Sequence, residues 1–71
     1  MLNQVRQKRL EAGLTQEKLA EKVGVSTRTI ISLEKGKYKP SITLAYHLAK
    51  VFQIPIEKLF CLDENEQKGL L

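Results

Sequence analysis

Cysteine occurs once in this sequence, at Cys61, so no disulfide can form within the chain. A reducing compartment, the cytoplasm, is therefore expected. Glycine and proline are scarce, at four and two residues, which leaves few enforced turns and favours helices. Long apolar runs are missing too. The longest are a few residues, far short of the ~20 that a membrane-spanning helix needs, and no membrane association is expected. The opening stretch MLNQVRQKRL turns polar within three positions and does not read as a secretory leader. The usual marks of an enzyme are also lacking. The single histidine, His47, and the single cysteine fall on different segments with no orienting partner, and no glycine-rich phosphate loop or metal-spaced cluster occurs. No catalytic residue, metal or cofactor is expected.

What is present fits one small domain. The chain has 71 residues, 42% hydrophobic and 28% charged, a globular rather than a disordered balance. Charge is unevenly placed. Residues 1–60 hold eleven lysines and arginines against five acids, a net +6, whereas residues 61–71 hold one lysine against three acids, a net −2. A basic body with an acidic tail points to a polyanionic partner.

Caps and periodicity predict five helices in residues 1–60. The first runs from about Leu2 to Ala12, with Leu2, Val5 and Leu10 near one face, and stops at Gly13. The second opens on Thr15 and ends at Gly24; the third opens on Ser26 and stops at Gly36. Leu14 with Leu19, and Val25 with Ile30, have the spacing of hydrophobic staples across those two caps. Two short capped helices separated by only GVS have the spacing of a helix-turn-helix. Ser41, after Pro40, caps a fourth helix whose apolar arc includes Ile42, Leu44, Ala45, Leu48, Ala49, Val51 and Phe52. Pro55 starts a short fifth helix that ends near Phe60. Residues 61–71 show no helical pattern and read as an acidic tail, with FCLD as a short edge strand.

The third helix carries the functional signal. Ile30, Leu33 and Glu34 share one face; Thr27, Arg28, Ile31, Ser32 and Lys35 share the other. That outer face offers a guanidinium fork, two hydroxyls and an apolar group. Arg reads a guanine edge bidentately, Thr and Ser bond permissively, and an apolar side chain meets a thymine methyl in the major groove. Thr27, Arg28, Ile31 and Ser32 are therefore the candidate base readers. Next, KGKYKP supplies Lys35, Lys37, Tyr38 and Lys39, three cations and a phenol suited to phosphates, and the helix start at Ser41 offers free amides for another.

The stretch GLTQEKLAEKVGVSTRTIISLEKGKYKPSITLAYHLAKVFQIPIEKLF resembles the helix-turn-helix domain of the lambda-repressor/Cro class, also called the XRE family. The likeness covers residues 3–60 and rests on GLTQEKLA, VGVS, IISLEKGKYKPS and LAKVF followed by LF in combination. It implies a compact all-α, five-helix domain of a prokaryote or phage that binds a double-stranded DNA operator as a symmetric homodimer. It implies, further, that Gln16 and Ser26 meet backbone phosphates, that Thr27, Arg28 and Ser32 read bases, and that Lys35 and Lys37 contact the backbone. Ile31 departs from a commonly polar position. Arg9 and Glu34 sit where core residues belong, and burying either charge alone is costly; one ion pair between the first and third helices resolves both, and the family has this pair. The family dimerises through the C-terminal part of the domain, where Val51, Ile54, Pro55, Ile56, Leu59 and Leu62 leave apolar side chains in too short a segment to bury them all. A second reading is the antitoxin of a toxin–antitoxin pair built on the same DNA module, although eleven residues after the domain are few for a toxin-holding arm.

Overall fold

Three hydroxyl side chains set where the central helices begin. Thr15 accepts a hydrogen bond from the Lys18 amide at 3.0 Å, Ser26 from Thr29 at 3.2 Å and Ser41 from Leu44 at 3.1 Å, each satisfying a first-turn N–H that has no helical partner. The computed structural model describes all 71 residues and contains six helices and no strand. They are α1 (Val5–Glu11), α2 (Gln16–Val23), α3 (Thr27–Glu34), α4 (Ile42–Phe52), α5 (Ile56–Leu59) and α6 (Leu62–Gln67).

One core joins them. Val5 of α1, Leu19 and Ala20 of α2, Ile30 and Leu33 of α3, Leu44, Ala45, Leu48 and Ala49 of α4, and Leu59 and Phe60 at the end of α5 are all buried. Each of the large side chains gains about 1.5–3 kcal/mol by leaving water. Leu14 and Val25, the outer halves of the two staples, pack against this cluster from the chain segments that precede α2 and α3. Between α2 and α3, Gly24 takes φ +75°, a left-handed conformation that closes the helix with its N–H on the Ala20 carbonyl at 2.9 Å. The chain can then restart at Ser26 in a new direction, and α3 crosses α2 as the second member of a helix-turn-helix.

Five sequence expectations are corrected. The first helix begins at Val5, not Leu2, because residues 1–4 form a non-helical strap bonded to the far end of the chain. In it Gln4 donates to the Leu59 carbonyl at 2.8 Å, while Asn3 accepts from the Val5 amide at 3.0 Å and donates to the Leu33 carbonyl at 2.9 Å. The inward stripe of α1 then runs through Val5 and Arg9, and Leu10, one residue past Arg9, turns to solvent. Ile42 also leaves the apolar arc assigned to α4: it lies at the very start of the helix, on the rim of an open groove, and is 83% exposed.

FCLD is not a strand. Cys61 adopts φ +49°, ending α5, and the chain re-enters a helix at Leu62. The reason is Asn65. Its side chain is wholly buried: Oδ1 accepts from the Leu2 amide at 2.7 Å, and Nδ2 donates to the carbonyls of Leu2 at 2.8 Å and Phe60 at 2.6 Å. A six-residue polar helix is thus held by one amide that pairs with the strap as a strand neighbour would. The fifth correction concerns Leu59, expected on a dimer face: it has no exposed surface and belongs to the core.

Candidate nucleic-acid interface

The buried side of α3 decides which residues face outward. With Ile30 and Leu33 fixed in the core, helical geometry turns Arg28 and Lys35 fully to solvent and leaves Thr27, Ile31 and Ser32 half-exposed around them. Arg28 lies in the first turn, beside the Ser26 cap, where a helix entering a groove reaches deepest. The Ser26 hydroxyl is engaged by Thr29, its Oγ 3.0 Å from the Thr29 Oγ1, so the start of α3 is rigid before any ligand arrives.

Cations on this side are unpaired. The four ion pairs of the protein are Lys8–Glu11, Arg9–Glu34, Lys18–Glu21 and Lys68–Glu64. Arg28, Lys35, Lys37 and Lys39 take part in none of them. Lys37, Tyr38, Lys39 and Ser41 are all exposed on the connection between α3 and α4, Tyr38 at 40%. That connection is anchored at its start by Gly36, which takes φ +76° and lies so close to the strap that a Cβ there would stand 2.9 Å from the Met1 carbonyl oxygen. The lysines therefore project from a fixed turn.

Behind this face lies a charged network. Arg9 Nε donates to Glu34 Oε2 at 2.7 Å, Nη2 to Oε1 at 3.2 Å and Nη1 to the Leu14 carbonyl at 2.9 Å. Only 10% of the arginine side chain and 3% of the glutamate side chain are exposed. Gln16 Nε2 donates to the same carboxylate, Oε1, at 3.1 Å. The Arg9–Glu34 pair is expected from the sequence, but its third partner, Gln16, is not, because that bond depends on how α2 meets the end of α3.

The remaining candidates fall elsewhere. Val51, Ile54, Ile56 and Leu62 are half-buried and Pro55 is exposed; Ile54, Pro55 and Ile56 share a groove with Tyr46, itself 55% exposed, whereas Val51 borders α1 and Leu62 lies beside Ile42. His47 is exposed on α4, its ring edge-on to Tyr46. Burial and the nearby Glu64 carboxylate push the Cys61 thiol above its usual range, which disfavours the reactive thiolate.

Set against known proteins, the model of the helix-turn-helix family matches residues 5–59, from the first residue of α1 to the last of α5. The chain belongs to the helix-turn-helix family. This regulator is 52% identical over 69 residues to an HTH-type transcriptional regulator of Archaeoglobus fulgidus, covering 97% of this chain and 99% of that protein. It is 48% identical over 66 residues to the HTH-type transcriptional regulator MJ0272 of Methanocaldococcus jannaschii, covering 93% of this chain and all of that one. It is also 35% identical over 57 residues to the cryptic phage CTXphi transcriptional repressor RstR of Vibrio cholerae, covering 80% of this chain and 51% of RstR. The helix-turn-helix protein is a DNA-binding transcriptional regulator of the XRE type, not an enzyme. None of its helices is long and apolar enough to cross a membrane.

Proposed function

We propose that this helix-turn-helix protein is a repressor that binds a palindromic operator as a homodimer in the cytoplasm. In each half-site α3 lies in the major groove, with Thr27, Arg28, Ile31 and Ser32 toward base edges. Gln16, Ser26, Lys35, Lys37, Tyr38, Lys39 and Ser41 meet the flanking phosphates. The observation that carries this reading is the pairing of an unpartnered Arg28 in the first turn of α3 with unpartnered lysines on the turn that follows. One such helix reads a few base pairs, too few to single out a site in a genome. Two copies related by a twofold axis double the readout and set their recognition helices about 34 Å apart. Residues 1–60 carry the DNA contacts, and residues 61–71 add none to DNA. Val51, Ile54, Pro55, Ile56 and Leu62 form the face between copies, broadened by Ile42 and Tyr46, which stand more exposed than any of the large apolar side chains of the core.

Selection of bound sites from random DNA tests the reading. Two inverted half-sites about 10 bp apart, centre to centre, are expected. Enrichment of one unpaired half-site would reject the symmetric dimer, and no enrichment would reject sequence-specific recognition. A reporter with the selected site placed over its promoter should fall in output when the protein is expressed; a rise would reject repression.

A further inference from the structure

Three N–H donors converge on the Glu34 carboxylate: two from Arg9, at 2.7 and 3.2 Å, and one from the Gln16 side chain at 3.1 Å. We propose that Glu34 is a positioning residue for DNA binding, one that fixes the Gln16 amide so that a single N–H faces outward for a backbone phosphate. This rests on the reading of Gln16 as a phosphate contact.

The chemistry of the acceptor carries the inference. An ionised carboxylate has no proton to give, so only the nitrogen side of the Gln16 amide can face it. One of the two Nε2 protons is thereby committed to Oε1. The other is held at a fixed in-plane angle to it and has no partner within the protein, since Gln16 makes no second side-chain hydrogen bond. Gln16 is the first residue of α2 and only half-buried, so this remaining donor lies at the helix N-terminus, where peptide N–H groups also favour an anion. A free glutamine would present oxygen or nitrogen with equal ease, and the oxygen repels a phosphate.

Arg9 completes the arrangement twice over. Its Nη1 bond to the Leu14 carbonyl at 2.9 Å fixes the backbone two residues before Gln16. Its positive charge also neutralises Glu34, which would otherwise set a bare carboxylate behind a phosphate site. The buried pair thus joins α1 and α3 and also aims the side chain at the start of α2.

The test is a double-mutant cycle on the tightest duplex recovered from random DNA, measured where each variant is folded by circular dichroism. Gln16→Ala should weaken binding by ~10-fold per half-site, the loss of one hydrogen bond to a charged group. Glu34→Gln keeps the shape of the side chain and an oxygen for Arg9, but it no longer dictates the sense of the Gln16 amide. It should weaken binding by a similar factor, and the double variant should bind no worse than either single one. Losses that multiply in the double variant would overturn the positioning role while leaving the phosphate contact standing. Wild-type affinity in Gln16→Ala would overturn both. Should Glu34→Gln fail to fold, the wild-type protein labelled with nitrogen-15 decides. The two Gln16 side-chain protons should be well separated, and adding the duplex should shift one and leave the other in place. Gln16 side-chain signals at the positions of those of the exposed Gln67, or two signals that move together when the duplex is added, would reject the proposal.

Discussion

Arg28 has a guanidinium free of any carboxylate, in the first turn of α3. Arg28→Ala should therefore cost about 1–3 kcal/mol of specific affinity and relax the preference at one base pair per half-site. Binding to a panel of single-base operator variants measures both effects; an unchanged preference at every position would remove Arg28 from the readers. Lys37 acts differently, as a charge on a fixed turn. Lys37→Ala should weaken all sequences about equally and lower the slope of log affinity against log salt by about one per half-site. A salt titration that keeps the wild-type slope would place Lys37 away from the backbone. That Arg28 stands on the outer side of α3 was legible in the sequence, because which side of a helix a residue occupies needs only its spacing from Ile30 and Leu33. The Gln16–Glu34 bond was not, because it joins side chains eighteen positions apart whose meeting is set by the crossing of two helices.

Among the elements, legibility tracked local information. α2, α3 and α4 each begin on a hydroxyl cap that accepts a hydrogen bond three residues on, so their starts could be read from a few neighbouring letters. The start of α1 and the whole of α6 could not. LDENEQ has no apolar period, and what orders it is a buried asparagine whose partners, Leu2 and Phe60, lie 63 and 5 residues away. Replacing that amide with a side chain that cannot bond, Asn65→Leu, strands the Leu2 amide and two carbonyls. It should destabilise the fold by at least about 1–3 kcal/mol in a denaturant melt. The link between α1 and α3 is stronger. Glu34→Ala leaves the Arg9 guanidinium buried without its anion and should cost about 3–5 kcal/mol, and replacing both residues by matched apolar side chains should recover part of it. Equal midpoints for wild type and Glu34→Ala would contradict the burial of the pair.

For the whole molecule the first question is how many copies act together. Ile56 is half-buried at the start of α5, bordering the grooves that hold both Tyr46 and Ile42. If this face joins two copies, Ile56→Asp should leave the helical spectrum intact while sedimentation at micromolar concentration shifts to a monomer and operator binding falls. Loss of the helical spectrum would mean that Ile56 only completes a monomeric core. A wild-type protein that remains monomeric both free and on its operator would reject the interface.

The strap described above also brings the two ends of the chain together. Met1 and Leu71 line the same groove, and Leu2 and Leu70 are both bonded to Asn65. The order of the elements along the backbone is therefore separable from their arrangement in space. A short flexible linker between Leu71 and Met1 would close the chain into a ring, and the Met1 nitrogen, as an ordinary amide, would keep a proton for the Gly36 carbonyl. The ring could be reopened at the exposed turn around Gly13, where a Cβ would meet nothing within 4 Å. α2 and α3 would then lead the sequence and α1 would end it, giving a circular permutant with the same recognition surface.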